Sequence, residues 1–140
     1  MILPPRRHTI RKDGSITKKA IFSANGAKPI GPYSPAVEAN GFVFVSGQVG
    51  IDPAAGQMKE GVAAQTEQAL KNVATMLAAD GLTMDDVVKT TVFLADIKDF
   101  GAMNDVYKLH FGGDYPARSA FQVAALPGGA LVEIEVIAAK

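Results

Sequence analysis

Between Gly31 and the C-terminus the chain uses arginine once, as Arg118, in the strand-like run Tyr115-Pro116-Ala117-Arg118-Ser119-Ala120-Phe121-Gln122-Val123. The other cations of that stretch are lysines. A guanidinium grips a carboxylate or phosphate with two parallel hydrogen bonds, which a lysine ammonium cannot do. Arg118 is therefore a candidate anion clamp. A following strand, Leu131 to Ala138, carries Glu133 and Glu135, so a structural ion pair with one of them is the competing use of the same arginine. That strand alternates, with Glu133 and Glu135 on one face and Val132, Ile134 and Val136 on the other. Two carboxylates about 6.5–7 Å apart along a strand overlap the spacing of inverting glycosidases. A short chain without Trp and with few aromatics argues against a sugar-stacking cleft. Ser46-Gly47-Gln48 closes an apolar strand, where a hydroxyl can donate and a glycine lets a ligand approach the backbone. Tyr33 is a phenol held between Pro32 and Pro35, and Asn104 is an amide on a predicted helix; each could serve a ligand or only packing.

These residues need elements to hold them. Asp13-Gly14, flanked by Thr and Ile, predicts a type I′ turn and a small N-terminal hairpin. Strands are expected at Ala20–Ser23, at Phe42–Ser46 opened by Asn40-Gly41, at Val87–Leu94, at Ala117–Ala125 and at Leu131–Ala138. Asp52 to Gly56 is expected as a loop. Val62, Ala69, Leu70, Val73, Met76 and Leu77 recur at helical spacing, and Gly81 can close that helix in the left-handed region. Glu67 and Lys71 form a favourable i,i+4 pair on it. A second helix is expected to run from an Asp99 cap to His110, with Phe100, Met103, Tyr107 and Phe111 on one face. The order predicts an α+β domain, a mixed sheet with two helices on one face and a short N-terminal hairpin. The other sheet face then needs cover, and a second copy of the chain is one economical answer.

At 140 residues the length predicts one folded domain, here residues 20–140, preceded by a basic arm over residues 1–19. The absence of cysteine excludes disulfides, thiolate nucleophiles and Cys-based zinc sites. Two histidines, His8 and His110, make a His-rich metal site or a Ser-His-Asp triad improbable, and no metal or cofactor is expected. No apolar run reaches the length of a membrane span. The neutral net charge conceals an asymmetry: residues 1–30 carry seven cations and one acid, residues 31–140 seven cations and thirteen acids. An acidic body disfavours nucleic acid, because phosphate neutralisation supplies most non-specific affinity. Residues 1–5 lack the apolar core of a secretory signal, so a cytoplasmic protein is expected, or an organellar one if the basic arm is a presequence.

Ile30-Gly31-Pro32-Tyr33-Ser34-Pro35-Ala36-Val37, Val45-Ser46-Gly47-Gln48-Val49-Gly50-Ile51-Asp52-Pro53, Val88-Lys89-Thr90-Thr91-Val92-Phe93-Leu94, Tyr115-Pro116-Ala117-Arg118-Ser119 and Glu133-Ile134-Glu135 together resemble the Rid (YjgF, reactive intermediate deaminase) family, closest to its RidA branch. The resemblance covers residues 20–140. It implies a chorismate-mutase-like α+β fold, a homotrimer with clefts between subunits, and cofactor-free hydrolysis of 2-imino acids (2-iminobutanoate and 2-iminopropanoate) to 2-oxo acids and ammonia. It also implies that Arg118 holds the substrate carboxylate and Glu133 positions or activates water. Tyr33, Ser46, Gly47 and Asn104 match cleft residues, and Ala120 stands where many RidA members have cysteine, leaving only its backbone for contact. Family members described as endoribonucleases supply one alternative function, and a non-catalytic metabolite-binding module is another.

Overall fold

The computed structural model describes residues 8–140. Arg6 and Arg7 of the basic arm lie outside the described residues. Nine strands and two α-helices are described: β1 His8–Ile10, β2 Ile16–Ile21, β3 Ala36–Ala39, β4 Phe42–Val49, β5 Ile51–Asp52, β6 Gln57–Met58, α1 Val62–Ala78, β7 Val87–Leu94, α2 Phe100–Tyr107, β8 Ala117–Gln122 and β9 Val132–Ala139. Seven strands form one sheet in the order β1-β2-β3-β4-β9-β7-β8, and β5 and β6 form a separate small hairpin. Every pairing in the large sheet is antiparallel except β7 with β8. This is the expected mixed sheet with two helices on one face.

The strands alternate as half-buried strands should. Val43 and Val45 of β4, Val132, Ile134, Val136 and Ala138 of β9, and Val92 and Leu94 of β7 are buried under the helices. They meet Ala69, Leu70, Val73, Met76 and Leu77 of α1 and Met103 and Tyr107 of α2, the stripes that the helical spacing predicts. Glu67 and Lys71 pair at 3.8 Å, and His110 Nε2 also contacts Glu67 Oε2 at 2.6 Å. The opposite face carries Phe42, Phe44 and Phe121, each more than two-fifths exposed. Phe121 stacks edge-to-face on Phe93 with ring centroids 5.5 Å apart.

The two turn signals exchange roles. Asn40 and Gly41 both take positive φ, 51° and 82°, and join β3 to β4 by the two-residue hairpin that such a pair specifies. At Asp13-Gly14 only the glycine has positive φ. There Gly14 N–H donates to the Arg11 carbonyl, a type I turn followed by a left-handed glycine, and the pairing shifts register between Thr9 and Ile10. The hairpin thus forms through a longer loop than predicted. Asp13 stays out of the positive-φ region and accepts from Ser15 N–H and Oγ–H at 2.9 and 2.7 Å.

Other expectations shift by local chemistry. β2 begins at Ile16 rather than Ala20, because it is paired on both sides, by β1 and β3. β3 was not expected: four residues behind the Pro32–Pro35 bend are too few to show a pattern. Asp52–Gly56 is the tip of the β5–β6 hairpin, closed by Gly56 N–H to the Asp52 carbonyl. Asp99 makes no cap bond to α2; Asp96 instead caps the preceding 3-10 turn through Lys98 N–H. α2 ends at Tyr107 and tightens into a 3-10 turn over Lys108–His110. Among the described residues no helix is long and apolar enough to cross a membrane.

At one corner β2, β3, the turn after α1 and the C-terminus share a charge cluster. Lys19 Nζ lies 3.1 Å from Glu38 and 3.3 Å from Asp80, and Lys140 contacts the same two acids. Glu38 is held below the usual carboxylate range, chiefly by its bond from Lys140.

Candidate active site

The sequence-predicted residues fall into two groups. The first forms around a bulge in β4. Val45 pairs with Val136 of β9 and Gln48 with Ile134, so Ser46 and Gly47 together face the single Glu135, one extra residue on the β4 side. Glu133, on the face away from the helices, folds its side chain over Gly47. A Cβ on Gly47 would lie 2.6 Å from Glu133 Oε2 and 2.8 Å from its carboxyl carbon. The glycine is required by this close approach. Ser46 Oγ–H donates to the Ser34 carbonyl at 2.7 Å, and Ser46 N–H to the Pro35 carbonyl at 3.0 Å. Ser46 thereby pins the Tyr33–Pro35 bend to the strand, with its hydroxyl proton committed and its oxygen still able to accept. Tyr33 is half exposed, and its hydroxyl accepts from Ile30 N–H at 3.4 Å, which leaves the phenolic proton free. Tyr33, Pro35, Gly47, Gln48 and Asn72 line a cleft of about 110 Å³ beside the bulge.

Glu133 is half-buried and, among the described residues, no donor hydrogen-bonds its carboxylate. Burial pushes its carboxyl above the ordinary glutamate range, and the charge of Glu135 adds to the rise. A carboxyl raised in this direction holds a proton more readily than a free glutamate, a property that general acid–base groups share.

The second group lies across the sheet. Arg118 is paired with Thr90 in the parallel β7–β8 register and turns to the helix side. Its Nη1–H donates to Asn104 Oδ1 at 2.7 Å, and its guanidinium carbon stands 4.8 Å from the Tyr107 ring centroid and 5.5 Å from that of Phe100. Met103 Sδ is 3.9 Å from Nη1. Ala120, two residues on, shares this face and packs against the core. A groove of about 400 Å³ opens beside Arg118 between Asn104, Tyr107, Tyr115 and Pro116. Among the described residues Arg118 has no acidic partner, so the ion pair with Glu133 or Glu135 is not made. The bonds it does make use Nη1, and the Nη2 edge remains free to grip an anion.

Arg118, Asn104 and Ala120 therefore stand together, as do Tyr33, Ser46, Gly47 and Glu133, but one chain does not bring the two groups into contact. Sequence reasoning placed Phe100, Met103 and Tyr107 in the core and missed that the same face holds the arginine. The available signal was Asn104, a polar residue within an otherwise apolar i, i+3, i+4, i+7 stripe. Among the described residues no group of three or more potential metal ligands occurs.

Residues 23–140 match the family model described as Endoribonuclease L-PSP. The chain belongs to this family, the Rid family. A mouse Rid-family protein named 2-iminobutanoate/2-iminopropanoate deaminase is 50% identical over 127 residues, covering 90% of this chain and 94% of its own. Its human counterpart of the same name is 48% identical over 125 residues, covering 89% and 91%. Among solved structures of the Rid fold, a putative endoribonuclease L-PSP from Entamoeba histolytica superposes with a TM-score of 0.85 at 44% identity, covering 88% of this chain and 99% of its own. The E. coli protein TdcF, solved with bound serine, superposes with a TM-score of 0.83 at 38% identity, covering 86% and 98%.

Proposed function

We propose that this Rid-family chain is a 2-iminobutanoate/2-iminopropanoate deaminase that hydrolyses small 2-imino acids to 2-oxo acids and ammonia. The observation that carries the reading is a half-buried arginine with one guanidinium edge free and no acidic partner among the described residues. The substrate carboxylate takes that edge through two parallel hydrogen bonds. Water adds to the carbon of the protonated imine as Glu133 accepts one of its protons, giving a neutral carbinolamine. Glu133 returns that proton to the nitrogen, and the carbon–nitrogen bond breaks as the carbinolamine hydroxyl gives its proton back to Glu133, leaving the 2-oxo acid, ammonia and a proton that Glu133 releases to water. Tyr33, with its free phenolic proton, and the Gly47 backbone line the reacting end. Orientation and one proton carrier are the whole chemical requirement, since imines hydrolyse readily in water and the barrier to be removed is modest. A solved relative that holds serine, a small amino acid, supports a substrate of this size and charge. The same reading has the reaction occur in the cytoplasm.

Arg118 and Glu133 serve one substrate only if each cleft takes Arg118 from one copy and Glu133 from another, as in a homotrimer with clefts between subunits. The exposed Phe42, Phe44 and Phe121 on the open sheet face support such an assembly. Co-refolding equal amounts of Arg118→Ala and Glu133→Ala tests both claims. Each variant alone is expected to be inactive in a coupled assay with a threonine dehydratase and semicarbazide as imine trap. A randomly mixed trimer with clefts between neighbours has roughly one intact cleft in four, so about a quarter of wild-type activity is expected to return. No recovery would rule out clefts shared between copies, and activity in either variant alone would remove that residue's role. The endoribonuclease reading rests on the family description and the basic hairpin; RNA cleavage lost in both variants would favour it.

A further inference from the structure

Among the described residues Arg118 is held without a counter-ion, and one helix does the holding. Phe100, Met103, Asn104 and Tyr107 follow one another at i, i+3, i+4 and i+7 along α2, and each contacts the guanidinium. The closest ring is that of Tyr107, with its centroid 4.8 Å from the guanidinium carbon. Tyr107 is itself fixed at its far end: its hydroxyl and Thr90 Oγ1 are 2.8 Å apart in the interior, with Tyr107 4% and Thr90 0% exposed. Thr90 is also the β7 residue that pairs with Arg118 of β8. One row across the sheet thus carries both the arginine and the hydroxyl that fixes the ring beneath it.

This arrangement solves a conflict. A half-buried arginine needs attraction to stay charged and oriented, yet a carboxylate supplying it would occupy the fork and cancel the charge meant for the substrate. A ring face and an amide oxygen stabilise a guanidinium without neutralising it. We propose that Tyr107, anchored by Thr90, is a positioning residue that keeps Arg118 oriented and uncompensated for an anionic ligand. The proposal rests on Arg118 being the carboxylate clamp.

The carboxylate adjoins the reacting carbon but keeps its charge from imine to carbinolamine, so it is gripped equally in ground and transition states and loss of the platform should act on KM rather than kcat. Tyr107→Leu removes the ring face and is expected to raise KM for 2-iminobutanoate, and Kd for 2-oxobutanoate, by about tenfold, in the range of a desolvated cation–π contact. Its kcat should stay within about twofold of wild type. Tyr107→Phe, which keeps the face and loses the anchor, and Thr90→Val, which loses the anchor alone, should each give about threefold in the same constants. Binding of 2-oxobutanamide, which lacks the carboxylate, should not change in any of them. Calorimetric titration in an Arg118→Ala background supplies the coupling: there Tyr107→Leu should have no further effect on 2-oxobutanoate. An equal effect with and without Arg118, a fall in kcat at constant KM, or unchanged constants in Tyr107→Phe and Thr90→Val would each overturn the proposal. Should Tyr107→Leu fail to fold, the latter two variants still decide it. If Arg118→Ala itself leaves 2-oxobutanoate binding unchanged, the clamp fails and the positioning role falls with it. That outcome is distinct from an active clamp indifferent to Tyr107.

Discussion

Gly47→Ala adds a single methyl group at the point where Glu133 crosses the β4 bulge. The new carbon would stand 2.6 Å from Glu133 Oε2, 2.8 Å from Cδ and 3.0 Å from Cγ. Ordinary contact begins near 3.4 Å, so the carboxylate must retreat by about 0.8 Å. The obstructed group is the end of a flexible side chain, and the glycine has ordinary negative-φ geometry, since it is absent from the positive-φ residues. The fold should therefore tolerate the change at about 1 kcal/mol, the low end of overpacking costs. The chemistry should not tolerate it. A displacement approaching 1 Å in a proton-transferring group costs on the order of 100-fold in rate. Ketoacid formation in the trapping assay should fall by about 30- to 100-fold, while thermal unfolding moves by only a few degrees. In a Glu133→Ala background the same substitution has nothing left to displace, and its cost to thermal unfolding should vanish. Wild-type rates in Gly47→Ala, or an equal unfolding cost with Glu133 absent, would refute the contact with the Glu133 carboxylate and the role assigned to it.

Four further outcomes follow from other contacts of the structure. Arg118→Lys keeps the charge but replaces the fork with a point donor, so KM should rise by about 10- to 100-fold; wild-type KM would remove the two-bond clamp. Glu133 is raised by burial and by Glu135. If its carboxylate is the base, activity falls as pH drops through that raised value, and Glu135→Gln should carry the acidic limb of the kcat/KM profile to lower pH; a shift upward or none would contradict it. The sign for stability is opposite. A raised native carboxyl favours the neutral form, so Glu133→Gln should be more stable than wild type at neutral pH, and the gain should vanish in denaturant titrations below the ordinary glutamate range. Asp80, whose side chain is 4% exposed, is the buried acid between Lys19 and Lys140, so Asp80→Ala should cost about 2–3 kcal/mol by urea unfolding; a change below about 0.5 kcal/mol would mean the cluster is solvent-like.

Much of this was legible from periodicity. The alternation of Leu131 to Ala138 put Glu133 on the face away from the core, where the structure has it, and the stripe on Val62 to Ala79 marked the α1 face that the sheet buries. Segments whose conformation is set by pairing were less legible. β3 is four residues long, and Asn40-Gly41 marks a hairpin only once a strand on each side is known. Asp13-Gly14 carries the same dipeptide logic, yet the Asp13 carboxylate finds Ser15 and keeps its own φ negative. Tyr107 and Thr90 were invisible as site residues because nothing in sequence distinguishes an aromatic packed on a core from one packed on a guanidinium. Only the β7–β8 register brings Arg118 to it.

That register also explains why the two charged residues of the candidate site keep their chemistry. Side chains alternate along β8, so a one-residue slip against β7 would turn Arg118 to the open face that holds Glu133. Moved to Thr91, it would lie across β7 from Glu135, and its fork would turn toward protein carboxylates rather than a substrate. With Thr90 opposite Arg118 and Phe93 opposite Glu133, the sheet itself separates them. Each then keeps an unsatisfied demand, the arginine for an anion and the glutamate for a proton. In the proposed reaction an imino acid with its attacking water meets both demands, in a cleft where two copies of the chain bring the opposite faces together.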